Sequence, residues 1–313
     1  MFGPLARPLL PFLLAVTLIG RAGEMSEAAP LAAQALLIGV ARASPACVAV
    51  GQFGNVVVSR DQGRTWQQII VPTRSMLTGV SFPDARHGWA VGHDGVILAT
   101  TDGGQTWSRQ DDGTDDQTIY LDVLFLDKQT GFAVGAYGKF VATEDGGKTW
   151  TARPPIDEDL HFNRLTANAT GSLFLAGESG TALTSADQGH TWQRLDVPYE
   201  GSLYGLLPVD GSRLLAYGLR SHIFRSDDAG TSWQPLESDP KVLIMAGLRL
   251  SSGAIALAGQ GGHFFVSRDG GRSFRHWTPD KLNKSVSSLA ETDDGALIAV
   301  GEGGALRLEL PPE

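Results

Sequence analysis

The chain has 313 residues, a formal net charge of −9 and a single cysteine. So acidic a surface repels a phosphate backbone and argues against nucleic acid as a partner. Cys47 has no second cysteine with which to form an internal disulfide, and within Ala46-Cys47-Val48-Ala49-Val50 it reads as a small buried hydrophobe.

Residues 1–22 read as a secretory signal. Arg7 supplies a positive start, residues 9–19 are an apolar run, and Gly20-Arg21-Ala22 is a small-x-small cleavage site. The run is short for a bilayer span; the alternative is the same segment retained as an anchor. No cysteine follows it, which argues against a lipid anchor. Without these residues 23 bases face 34 acids, a charge of −11. The expected product is an exported, periplasmic domain of residues 23–313, monomeric by itself and stabilised by packing.

From Val48 onward two short signatures alternate. The first is an apolar strand ending in Gly-x-x-Gly, at Gly51/Gly54, Gly92/Gly95, Gly135/Gly138, Gly177/Gly180, Gly259/Gly262 and Gly301/Gly304. A seventh copy, Gly218-Leu219-Arg220-Ser221, has lost its second glycine. Gly-x-x-Gly between β-rich runs predicts a tight hairpin whose glycines take conformations that other residues avoid.

The second signature, ten residues later, is Ser/Thr-x-Asp-x-Gly-x-Thr/Ser-Trp/Phe. It pairs Asp61 with Trp66, Asp102 with Trp107, Asp145 with Trp150, Asp187 with Trp192, Asp228 with Trp233 and Asp269 with Phe274, at spacings of 41, 43, 42, 41 and 41 residues. The carboxylate is placed to turn back onto backbone N–H groups, the glycine to take a positive φ, and the aromatic to anchor the turn in a core. This is a structural staple.

Each unit resolves into four strands; in the second they fall at residues 77–82, 88–91, 96–100 and 106–110. Four strands in each unit of about 40–45 residues is the period of a propeller blade, and no segment keeps a 3.6-residue apolar period. Seven hairpins predict an all-β, seven-bladed β-propeller of four-stranded antiparallel blades. The last unit stops before its Asp motif. Counting one period back from Trp66 reaches Met25, so residues 25–31 are expected to form the outer strand of the last blade and close the ring.

The six aspartates occupy equivalent places around the rim and cannot converge on one substrate. A ligand belongs instead at the mouth of the axial channel, ringed by the central pairs of the hairpins: Gln52-Phe53, His93-Asp94, Ala136-Tyr137, Glu178-Ser179, Leu219-Arg220, Gln260-Gly261 and Glu302-Gly303. These vary within a constant frame, as a specific surface would, although ordinary solvated turns are polar too. Of the connections on this face, residues 111–116 resemble a calcium loop only loosely and lack its terminal Glu. Residues 154–164 bring in His161 and Arg164. Arg164, Arg220 and Arg249 are expected at comparable inner positions, where grouped arginines hold a carboxylate or sulfate, or each pairs with a neighbouring acid. No second histidine stands at ligand spacing from His93, and there is no Gly-x-Ser-x-Gly elbow or phosphate loop. Neither catalytic residue, metal nor cofactor is expected.

These segments carry a resemblance. Val48 through Gly54 with Ser59 through Trp66, the run Gly88-Trp89-Ala90-Val91-Gly92-His93-Asp94-Gly95-Val96-Ile97, and Ala133-Val134-Gly135-Ala136-Tyr137-Gly138 resemble the Asp-box (BNR) repeat propellers. Within these they resemble the photosystem II stability/assembly factor family, and more closely its proteobacterial branch. The resemblance implies an exported seven-bladed propeller without known catalysis that assists assembly of a membrane-protein complex. In photosynthetic members it implies a basic patch and handling of a reaction-centre subunit. In the proteobacterial branch it implies a periplasmic accessory to an exporter of the resistance-nodulation-division type. This chain lacks an obvious arginine-rich surface, which sets it apart from the photosynthetic pattern.

Two other readings use the same residues. A sialidase-like glycoside hydrolase would clamp a carboxylate with Arg164, Arg220 and Arg249 and use Tyr137, Tyr204 or Tyr217 as nucleophile. That class has six blades and an Arg-Ile-Pro motif absent here. A stand-alone sugar- or lipid-binding propeller is the third reading.

Overall fold

A computed structural model of the chain describes residues 24–110, 113, 117–280 and 282–312. Seven antiparallel sheets follow one another in chain order, with strand neighbours that are also sequence neighbours. Six have four strands, and the last has three. In blade two, the strands are Leu77–Ser81, Gly88–Gly92, Ile97–Thr100 and Ser108–Gln110, within two residues of the sequence expectation at each boundary. Among the described residues there is no α-helix.

Apart from half-buried Arg213, which opens the one in blade five, the second strand of every blade is fully buried, as in Gly131–Gly135 and Leu173–Gly177. It packs on both faces against neighbouring blades, so it reads as a continuous apolar run with no polar alternation. The core is thus seven clusters, one between each pair of blades. Cys47 lies in one of them, and burial pushes its thiol up to about 11. Around the axis, polar side chains tie the innermost strand of one blade to the next. Thr78 Oγ1 donates to the Tyr120 carbonyl at 2.8 Å, Asn163 Nδ2 to Leu203 at 2.8 Å, and Ser287 Oγ to Leu37 at 3.0 Å.

Ring closure differs from the expectation. Residues 25–31 form no strand and do not join blade seven. The Ser26 N–H donates to the Val71 carbonyl at 2.8 Å, and Gln68 bonds the Ala29 N–H and the Glu27 carbonyl, so this stretch lies along blade one. Met25-Ser26-Glu27-Ala28-Ala29-Pro30 is poor in β-formers, and the Gln68 side chain meets its backbone groups where a strand would otherwise be needed. Side chains close the ring instead. Asp294 receives Arg307 at 3.0 Å from its own blade and Arg64 at 3.1 Å from blade one, while Asp293 pairs with Arg42 and accepts from Ser44 Oγ at 3.0 Å. The expected signal segment lies outside the described residues.

Candidate binding face

Strand direction sets two faces. First strands begin, and second-to-third hairpins turn, on one face; first strands end and Asp boxes turn on the other. In blades one to six each hairpin is a two-residue turn with successive positive φ angles, as at Phe53 and Gly54 (57° and 67°), Asp94 and Gly95 (58° and 59°) and Tyr137 and Gly138 (54° and 69°); in blade seven only Gly304 is positive. This is the type I′ arrangement that suits a tight hairpin and favours Asn-Gly or Asp-Gly. Asp94-Gly95 conforms. Phe53 and Tyr137 do not, yet they occupy the left-handed position and are 70% and 69% exposed as residues.

The remaining mouth residues fall into small sets. His161 Nδ1 lies 3.2 Å from Glu178 Oε2, and the Tyr137 ring meets the His161 ring edge-on at 4.9 Å. Asp94 Oδ2 accepts from Ser75 Oγ at 2.6 Å, next to a hollow of about 330 Å³ shared with Arg74 and Arg109. A second hollow, about 280 Å³, lies beside Gln52 and Phe53. Glu302 accepts from the Ser285 N–H and Gln260 from the Leu243 N–H, so both hold the linker into their own blade. His93 is half-buried in its turn. Arg220 projects at φ 55°, near Tyr199, His222 and Lys241. Burial first, then the Lys241 and Arg220 charges, hold His222 below the ordinary histidine range.

The three arginines do not come together. Arg164 lies inside the channel, where Nε is 3.9 Å from Asp122 Oδ2 and Nη2 donates to the Ser287 carbonyl at 3.4 Å, reaching from blade four to blade seven. Burial pushes Asp122 up, against the pull of Arg164 and of the Leu165 N–H bonded to it at 2.9 Å. Arg249 is a correction. It ends the strand Ile244–Arg249 opposite Ile255, beside the first-to-second turns, and so lies on the face opposite the mouth. A six-residue strand, roughly 17–20 Å long, separates the two faces, and one carboxylate cannot span Arg220 and Arg249. Tyr217 is fully buried, and its phenol is pushed up to about 12, mainly by burial. Residues 111, 112 and 114–116 of the calcium-like loop lie outside the described residues.

The sequence reading overlooked Arg74, Tyr199 and Lys241, which the linkers between blades bring to the mouth. The signal was available: each lies just before a first strand, where that face begins.

The fold and this face define a seven-bladed Asp-box propeller with a variable axial mouth. The family described as "Photosynthesis system II assembly factor YCF48" matches the chain over residues 58–119 and 112–313, and the chain belongs to that family. Among curated relatives, the chloroplastic photosystem II stability/assembly factor HCF136 of Cyanidioschyzon merolae is 46% identical over 48 residues, and the photosystem II assembly protein Ycf48 of Thermosynechococcus vestitus 45% over 42. These stretches span 15% and 13% of this chain and only 11% and 12% of those proteins. Among solved structures, "YCF48 bound to D1 peptide" aligns at a TM-score of 0.74 with 21% identity, covering 89% of this chain and 94% of that one. YCF48 from Cyanidioschyzon merolae aligns at 0.70 with 18% identity, covering 88% and 96%. At such identities the structural likeness speaks for the fold.

Proposed function

We propose that this chain is a non-catalytic, exported assembly factor that uses its mouth face to bind a segment of a membrane-protein complex. The observation carrying this is the pair Phe53 and Tyr137. A large side chain held at positive φ costs about 1–2 kcal/mol, and a mostly exposed residue recovers little of it by burial, so the strain is spent on presenting the rings to a partner. Around them Gln52, His93, Asp94, His161, Glu178, Arg220, Gln260 and Glu302 form a polar rim. Arg164, tied to Asp122 inside the channel, positions the inner strands.

Family membership supports the assembly role, and one relative is described as bound to a D1 peptide. Other relatives are described as assembly lipoproteins, which accords with export. For this chain export rests on residues 1–22 as signal, ahead of a propeller of 23–313. The finer reading, a periplasmic accessory to a resistance-nodulation-division exporter, rests on the resemblance of its hairpins to the proteobacterial branch. The scattered arginines speak against a sialidase.

Phe53→Asn with Tyr137→Asn tests the face, because Asn tolerates the left-handed position. Thermal unfolding should show stability unchanged or raised by up to about 1 kcal/mol. Co-purification of a membrane protein from detergent-solubilised envelope should fall roughly tenfold, a loss of about 1.4 kcal/mol. Glu178→Arg or Arg220→Glu should weaken it less. Association indifferent to all four changes would overturn the mouth as the binding face.

A further inference from the structure

In blades one to six, the Asp box and the fourth strand are one continuous piece of chain. Its aromatic packs between its own blade and the one before: Trp107 between one and two, Trp192 between three and four, Phe274 between five and six. The cluster between blades six and seven is the one without such an aromatic among the described residues. Trp277 partly substitutes, at the register held by Ile69 in blade one and Leu236 in blade five. Half-buried Leu306 and Leu308 pack beside it. A cavity of about 630 Å³ remains, bounded by Val266, Arg268, Arg275, Trp277 and Pro311. Next to it the strand Gly304–Leu308 pairs with Leu297–Gly301 on one side and, among the described residues, with no strand on the other.

We propose that this seam is a docking slot for an extended segment of a partner protein. The segment adds as a fourth strand to Gly304–Leu308 and seats an aromatic side chain, flanked by an acidic residue, in the cavity. Main-chain bonds to an open edge supply affinity, and the pocket supplies selectivity. Arg275 has no ion-pair partner among the described residues, and Arg268 gives Nη2 to the Pro311 carbonyl. Asp269 beside them is held charged by the Ser267 and Ser273 hydroxyls and offsets one of the two, which leaves the rim one positive charge in excess. An acid beside the aromatic meets that unbalanced charge. Candidate occupants from this chain fit less well. Pro311 and Pro312 carry no N–H for a strand ladder, and the stretch around Ser26 is held by blade one. Symmetric pairing of two copies would set the same arginines against each other.

A probe exists in the chain itself: a labelled peptide of residues 143–152, whose sequence carries Glu144, Asp145 and Trp150. Added to the full protein, it should bind saturably and slow amide exchange across residues 304–308. Trp150→Ala in the peptide, or Arg268→Glu with Arg275→Glu in the protein, should weaken binding roughly tenfold. Binding that ignores the tryptophan, or no saturable binding, overturns the proposal. So does protection of residues 304–308 already present in the free monomer, or protection that rises with protein concentration, which would assign the edge to the chain itself or to a second copy.

Discussion

At Asp187, Oδ1 accepts from the Ser185 hydroxyl at 2.8 Å and the Thr191 N–H at 2.9 Å, while Oδ2 accepts from Thr191 Oγ1 at 2.6 Å. The same bonds recur at Asp61 and Asp145, with Ser185 Oγ and its counterparts also accepting the glycine N–H of the box. Donors aimed at a carboxylate favour its charged form. The Thr65 hydroxyl holds Asp61 down to about 2, the Thr149 N–H does so for Asp145, and the Ser232 hydroxyl for Asp228. Because the unfolded chain binds these protons more readily, the stabilisation is present in full above the ordinary carboxylate range and is lost as pH falls through the folded values. The thermal midpoint should therefore stay nearly level from about pH 7 to 5 and drop between about pH 4 and 2. Asp145→Asn with Asp228→Asn should lower the midpoint at pH 7 and flatten that acid limb; a limb of unchanged steepness would contradict the assignment. The staple role was readable from residue types alone, because every bond partner lies within four positions along the chain.

At the scale of the element, the two glycines of each hairpin serve different ends. The second takes positive φ, as its sequence context predicts. The first is extended, with φ −172° at Gly51, and is required for space: a Cβ on Gly92 would lie 2.0 Å from the Met76 carbonyl of the linker entering the same blade. Blade five, lacking the second glycine, keeps the turn with Ser221 at φ 52° and bonds the next linker through Ser221 Oγ, which accepts the Val242 N–H at 3.0 Å. Gly92→Ala should cost about 3 kcal/mol by urea unfolding, since backbone and not a flexible side chain must move. Gly303→Ala, where nothing comes closer than 3.7 Å, should stay within about 0.5 kcal/mol. Equal effects would remove the steric account. The pattern revealed that glycine was needed; the neighbour that excludes a methyl group belongs to another segment and left no local mark.

For the whole molecule, the seam between blades seven and one holds the ring without a shared blade. Besides an apolar cluster and the Asp293 and Ser287 bonds already described, its contacts include Asp294 with Arg64 and Arg307, Arg307 Nη1 donating to the Gln62 carbonyl at 3.0 Å, and Ser288 Oγ accepting the Val40 N–H at 3.3 Å. The Thr292 hydroxyl first, then Arg307, hold the Asp294 carboxyl well below the usual range, so the joint is charged at neutral pH. Asp294→Ala should lower the thermal midpoint and speed amide exchange selectively in blades one and seven. Asp84→Ala, whose bonds stay within its own turn at Arg86 and His87, should leave that seam alone. Uniform exchange around the ring in the Asp294 variant would show that closure is carried elsewhere.

Periodicity alone determined the seven blades, their strand boundaries within a few residues, the staple role of the Asp boxes and the second-to-third hairpins that share one face, because each of these is encoded by residues near in sequence and repeated. Tertiary structure decided where the chain ends go, that Arg249 faces away from Arg220, and that Arg164 crosses the channel to Ser287. These depend on strand polarity and on partners as much as 123 positions away, and no local pattern records such distant neighbours.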